Sequence, residues 1–174
     1  MYSPTLARLP LTSRRSLFSI RVVPKFLVQF GISPDPDLNR KFRRATISDD
    51  AAQPMPFRPG FLSFAGSGPD SRTTEIFIVM PDAPRHQLEA FGTNSWETPF
   101  GSVGDAEGLE IVGDLYSYGD MPPWGSGPES QRIYAEGYEY LAKDFPELDY
   151  IDTCRVVPAE EAAVRADQTA NSEL

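Results

Sequence analysis

Residues 18–31 read Phe18-Ser19-Ile20-Arg21-Val22-Val23-Pro24-Lys25-Phe26-Leu27-Val28-Gln29-Phe30-Gly31. Phe18, Ile20 and Val22 alternate with Ser19 and Arg21, the two-residue period of a strand. Pro24 and Lys25 break the run. A second strand follows, with Phe26, Val28 and Phe30 on one side and Leu27 and Gln29 on the other.

Outward from this stretch the chain is a series of short apolar runs separated by long loops. Residues 33–59 carry Pro34, Pro36, Pro54, Pro56 and Pro59, which predicts a long excursion with a short helix near Leu38–Arg44. Leu62–Ala65 and Glu75–Met80 read as strands on either side of the turn-rich Gly66–Asp70. Residues 81–99 read as a loop, Phe100–Val103 as a short strand, and Leu109, Ile111, Val112 and Leu115 as a short helix after Gly108. Pro122, Pro123, Gly125, Gly127 and Pro128 mark a second rigid loop. Ile133, Tyr134, Gly137, Tyr138, Leu141 and Phe145 have helical spacing, and Pro146 ends that helix. Tyr150–Val157 reads as the last strand. The expected organisation is a flexible leader over 1–16, one domain over 17–157, and an acidic, Ala-rich disordered tail over 158–174. Short strands with two helices imply a mainly β protein, a barrel or sandwich with helical plugs.

Composition narrows the function. The 174 residues are 40% hydrophobic and 24% charged, ordinary for a globular chain, and no apolar run is long enough to span a bilayer. Cys154 is the single cysteine and His86 the single histidine. An internal disulfide is therefore excluded, and no Cys/His metal cluster exists. Cys154 reads as a small buried hydrophobe at a strand end. Nine of the 16 basic side chains fall within residues 1–44, against Asp35 and Asp37, so the rest of the chain is strongly acidic. Such a body repels phosphate and argues against general nucleic-acid binding. Arg40, Lys41, Arg43 and Arg44 form the one basic cluster, read as a solvated loop or helix face. The first 34 residues lack acids and are rich in Ser, Thr and Arg, a composition that resembles an organelle transit peptide.

Three segments, in order, resemble the cyclophilin family of peptidyl-prolyl isomerases. Phe18–Gly31 is similar to the family's arginine, hydrophobic pair, proline, then Phe-hydrophobic-x-Gln-x-Gly signature. Gly60-Phe61-Leu62-Ser63-Phe64-Ala65-Gly66-Ser67-Gly68-Pro69, continuing to Glu75-Ile76-Phe77-Ile78, is similar to its Gly-x-Leu-Ser-x-Ala-x-x-Gly-Pro stretch ending in Gln-x-Phe-Ile. Leu88 followed by Phe100-Gly101-Ser102-Val103 matches a third element. The resemblance implies an antiparallel β-barrel of eight strands with two capping helices and a groove on its outer face. In the family two strands and a helix precede the arginine motif. Residues 1–16, interrupted by Pro4 and Pro10, are too short for these. The barrel is therefore expected to be incomplete at the N-terminus, with exposed edges near Phe18–Val23, and poorly stable.

The implied reaction needs no cofactor, because it breaks no bond and moves no proton. By the resemblance, Arg21 is the catalytic guanidinium and Gln29 holds it by hydrogen bonding. Phe26, Leu27 and Phe77 form the proline socket, Leu88 its far wall, and Ala65 and Gly66 a backbone ledge for the substrate chain. Glu75 replaces a family Gln, and its carboxylate is placed to pair with Arg21 and draw it from substrate. Trp96 is the candidate for the family's His or aromatic position. For each, a plainer reading stands beside this one: Arg21 as a solvent-facing strand residue, the phenylalanines as core, Trp96 as a loop anchor. The expected function is isomerisation of X-Pro bonds, with proline-containing peptides or proteins as partners. The alternative is a weak or inactive proline-binding module of the same fold.

Overall fold

The computed structural model describes residues 17–51 and 55–158. The expected leader lies outside these residues, as does the tail beyond the exposed Pro158. Two strands, β1 (Leu17–Val23) and β2 (Leu27–Phe30), meet at the turn that Pro24 and Lys25 mark, where Lys25 takes a positive φ of 63°. They are followed by β3 (Phe61–Phe64), β4 (Ile76–Val79), β5 (Gly101–Ser102) and β6 (Tyr150–Ile151). All pairings are antiparallel, and the sheet order is β5-β3-β4-β2-β1-β6, an open half-barrel with β5 and β6 at its ends among the described residues.

The register places Arg21 opposite Gln29, Gln29 opposite Phe77 and Phe77 opposite Ser63. Residues directly opposite in a ladder share a face, so these four form one row across the sheet. The alternate row, Val22, Val28 and Ile78, faces the other way and packs with Met80, Val112, Val103 and Leu115. A bulge between Ser19 and Arg21 interrupts the alternation, and Ser19 and Ile20 are consecutively buried. Such an extra residue re-aims the side chains that follow, here starting with Arg21.

Among the described residues five α-helices accompany the sheet: α1 (Pro36–Phe42), α2 (Arg85–Ala90), α3 (Ala106–Gly113), α4 (Ser130–Glu136) and α5 (Tyr138–Asp144). α1 starts where Asp35 accepts from the Asp37 and Leu38 N–H groups and Pro36 takes the first turn. α2 lies in the stretch read as a loop. Its N-cap is Pro84, with no side-chain cap bond, so the usual start signal is missing. The single helix read over 133–145 is two, because Gly137 adopts φ 69° between them, where a side chain is disfavoured. The last strand is shorter than expected. Strand pairing extends only over Tyr150 and Ile151, opposite Phe18 and Leu17, and Cys154 beyond them is exposed rather than buried.

The edge of β1, expected to be bare, is covered along most of its length. β6 pairs with its first residues, and the Ser19 N–H donates to Asp149 O at 3.0 Å. Val22 bridges to Gly119, and the Ser117 hydroxyl donates to Val22 O at 2.5 Å. Ile20 and Val22 are each 1% exposed. The cover comes from C-terminal residues. α4 and α5 bring Ile133, Tyr140, Leu141 and Phe145 onto Ile20 and Ile32. No helix among the described residues is long and apolar enough to cross a membrane.

Candidate active site

The Arg21–Gln29–Phe77 row opens into a groove of about 590 Å³. Of the residues singled out from the sequence, Arg21, Phe26, Leu27, Gln29, Ala65, Gly66, Glu75 and Phe77 line it. Leu88 and Trp96 do not. Leu88, on α2, packs against the phenylalanine cluster behind the groove wall. Trp96 lies against the Gly66 backbone, where an added Cβ would stand 2.7 Å from its Cδ1. That contact gives Gly66 a physical reason to lack a side chain.

One end of the groove is apolar. Phe26 and Phe77 stack on Phe91 at centroid distances of 5.3 and 5.2 Å with planes 15° and 22° apart, and Phe57 stacks on Phe91 from behind. Phe91 and Phe57 were not singled out in the sequence. Both lie in loops, where no periodicity gives a face; the one signal was an aromatic three residues after Leu88.

The other end is a chain of hydrogen bonds. The Arg21 Nη1–H donates to Gln29 Oε1 at 3.4 Å, and Gln29 Nε2 donates to Glu75 Oε2 at 2.6 Å. The Tyr134 hydroxyl donates to Glu75 Oε1 at 2.8 Å, and the Arg43 guanidinium lies 4.4 Å over the Tyr134 ring. Burial, then the neighbouring carboxylate and its hydrogen bond, push the Tyr134 phenol well above its ordinary range.

Glu75 does not pair with Arg21, contrary to expectation. Its two oxygens are engaged by Gln29 and Tyr134. The carboxylate on Arg21 is Asp120: Nε donates to Oδ1 at 2.6 Å and Nη2 to Oδ2 at 2.9 Å, a two-pronged contact that matches guanidinium and carboxylate geometry. Both side chains are mostly buried, at 18% and 17% exposed. Burial pushes the Asp120 carboxyl up, but the hydrogen bonds and charge of Arg21, with the Met121 N–H, outweigh it and hold the carboxyl below its usual range. The Arg21 Cζ lies 5.4 Å from the centre of the Phe26 ring. A fixed guanidinium thus stands at the boundary between the polar chain and the phenylalanine slot. Among the described residues no group of His, Cys, Asp and Glu is arranged to hold a metal.

The family model for cyclophilin type peptidyl-prolyl cis-trans isomerase/CLD matches residues 14–124. Among solved structures, a cyclophilin type peptidyl-prolyl cis-trans isomerase of Cryptosporidium parvum is 17% identical, with 82% of this chain and 76% of that chain covered, at a TM-score of 0.45. A structure of the Cryptosporidium parvum isomerase in the presence of the dipeptide Ala-Pro is 18% identical, with 82% and 77% covered, at 0.44. The family match takes in well over half the chain, including the whole Arg21–Phe77 row and Asp120: the chain belongs to the cyclophilin-type peptidyl-prolyl cis-trans isomerase family.

Proposed function

We propose that this groove catalyses cis/trans isomerisation of X-Pro bonds in peptides and proteins, within a domain spanning residues 17–157. The rotation barrier of an amide is about 18–20 kcal/mol, and the uncatalysed X-Pro change takes tens to hundreds of seconds. Each ~1.4 kcal/mol removed is a tenfold gain. No nucleophile or base is required. A catalyst needs only to prefer the twisted amide, in which resonance is lost and the nitrogen becomes pyramidal. In this reading the proline ring enters the slot of Phe26, Leu27, Phe77 and Phe91. Arg21 donates toward the twisted amide, and the guanidinium is already oriented before substrate arrives. Ala65 and Gly66 bound the substrate chain; the Ala65 N–H is committed to Glu75 O at 2.9 Å, so the ledge would act through its remaining peptide groups.

The observation that carries the reading is the guanidinium fixed 5.4 Å from the Phe26 ring, beside the apolar slot lined by Leu27, Phe77 and Phe91. The test is a protease-coupled isomerisation assay on a short X-Pro peptide, run on protein whose cooperative melting has been checked. Acceleration in proportion to protein supports the proposal. Peptide binding without acceleration would instead support a proline-binding module, which is favoured by one feature: Nε and Nη2 of Arg21 are already bonded to Asp120.

A further inference from the structure

We propose that Asp120 is a positioning residue for Arg21, setting the guanidinium in the orientation that isomerisation uses; the inference rests on the isomerase reading above. Arg21 projects from a strand on a long side chain with several free torsions, and its contact to Gln29, at 3.4 Å, is too long to fix it unaided. Asp120 engages Nε and Nη2 together, which fixes the plane of the guanidinium and leaves Nη1, held only by the longer contact to Gln29, as the edge turned away from the carboxylate.

The loop that presents Asp120 is itself anchored. Gly119 bridges to Val22, one residue from Arg21. The Asp120 carbonyl accepts from the Gly127 N–H at 2.8 Å, and Asp120 Oδ1 also accepts from the Met121 N–H at 2.7 Å. A Cβ on Gly125 would strike the Asp120 backbone, and one on Gly127 the Gly119 carbonyl, so two glycines permit the loop to close upon itself. The carboxylate is therefore held from the strand that carries Arg21 and from its own loop at once. Glu75, the other acid near the row, has both oxygens engaged elsewhere.

Positioning and charge make opposite predictions. Were Asp120 simply a competitor for Arg21, its removal would free a cation and speed isomerisation. As a positioning residue its removal lets the guanidinium wander, and displacement of a catalytic group by about 1 Å costs roughly a hundredfold. The experiment measures kcat and KM for an X-Pro peptide in wild type, Asp120→Ala, Arg21→Ala and the double variant, with a melting curve for each. The expected result is a loss of about ten- to a hundredfold in kcat/KM for Asp120→Ala, falling mainly on kcat, with no further loss when it is added to Arg21→Ala. An equal loss in both backgrounds, a loss confined to KM, unchanged activity, or a gain would each overturn the proposal. If Asp120→Ala does not fold, Asp120→Asn is used in the same cycle; it can keep the Met121 contact and loses the two-pronged one. Wild type and Arg21→Ala together separate the two levels. If wild type gives no acceleration, the isomerase assignment fails and this inference falls with it; if Arg21→Ala is as fast as an active wild type, Arg21 is not the catalytic guanidinium and this inference fails while the isomerase reading stands. If Arg21→Ala is slow but the Asp120 variants are not, only this inference fails.

Discussion

Two aromatic clusters flank the sheet and are built in opposite ways. In the groove, Phe26, Phe57, Phe77 and Phe91 stack with planes within 28° of parallel wherever they touch Phe91. None carries a polar handle. Under the helices, Phe18 meets Tyr138 edge-on at 89°, and Phe145 meets Tyr118 and Tyr140 at 85° and 86°. There the hydroxyls are tied to the backbone: Tyr138 donates to Ile32 O at 2.7 Å and accepts from the Phe18 N–H at 3.3 Å. Both geometries are favourable for rings. The directional bonds exist only on the helix side, so that cluster locks one arrangement. The stacked phenylalanines have no polar atoms on their side chains, so an apolar ring entering beside them breaks no side-chain hydrogen bond of theirs. One side secures the fold, and the other is the side on which the proposed function places the substrate.

The division predicts that damage to the two sides will separate stability from activity. Leu141, fully buried on α5 against Ile20 and Ile133, should give the largest stability effect. Leu141→Ala is expected to cost about 2–5 kcal/mol in denaturant unfolding, with peptide affinity unchanged in the fraction that remains folded. A comparable loss of affinity would erase the distinction.

Tyr138→Phe comes next. It leaves the Phe18 N–H and Ile32 carbonyl without their hydroxyl, at a cost of about 1–3 kcal/mol. The same residue yields a pH test. Burial pushes the Tyr138 phenol up to about 12 from an ordinary 10.0, with the Phe18 N–H opposing. The neutral phenol is thus favoured by folding. Its contribution is complete below pH 10 and is lost as pH rises through about 12. The alkaline loss of stability should be smaller in Tyr138→Phe, though not absent, because Tyr134 is also raised. An unchanged alkaline profile would remove Tyr138 from the account.

The smallest stability change is expected on the groove side. Phe91→Leu keeps apolar bulk and should cost less than about 1.5 kcal/mol, while X-Pro peptide affinity, read by titration, falls by roughly tenfold as the stacked wall is lost. A stability loss as large as that of Leu141→Ala would mean that the groove cluster is core like any other.

Much of the groove was legible through its resemblance to the family's motifs, which named the residues; alternation alone did not separate socket from core, but it explains how the motif residues come together. A period of two and antiparallel pairing put Arg21, Gln29 and Phe77 in one row, and Phe26, Leu27, Glu75 and Ala65 follow from neighbouring positions. What arrives on loops was not legible. Asp120 sits 99 residues from Arg21, in a stretch that read only as Pro- and Gly-rich, and nothing local says which cation it meets. Glu75 lies beside the row, bonded to Gln29 on β2 and to Tyr134 on α4, and the second of these partners is decided by how α4 packs. The helices were misread where the deciding feature was a single backbone angle, as at Gly137, or where a cap was absent, as at Pro84. The open sheet was anticipated, but the cover over β1 was not. It is made by Ser117, Gly119 and Asp149, polar and glycine positions whose sequence gives no sign of pairing with a distant strand.

The central claim is that a fixed Arg21 lowers the rotation barrier of a prolyl amide in this groove. Exchange NMR on a short X-Pro peptide tests it directly, because it reports cis/trans interconversion of the substrate without a coupling protease. With catalytic amounts of wild-type protein, exchange peaks between the cis and trans forms should emerge on a timescale of a second or less. With folded Arg21→Ala they should weaken by about a hundredfold in rate, while line broadening still shows peptide bound. Absence of exchange peaks with wild type, or equal exchange in the two proteins, would contradict it.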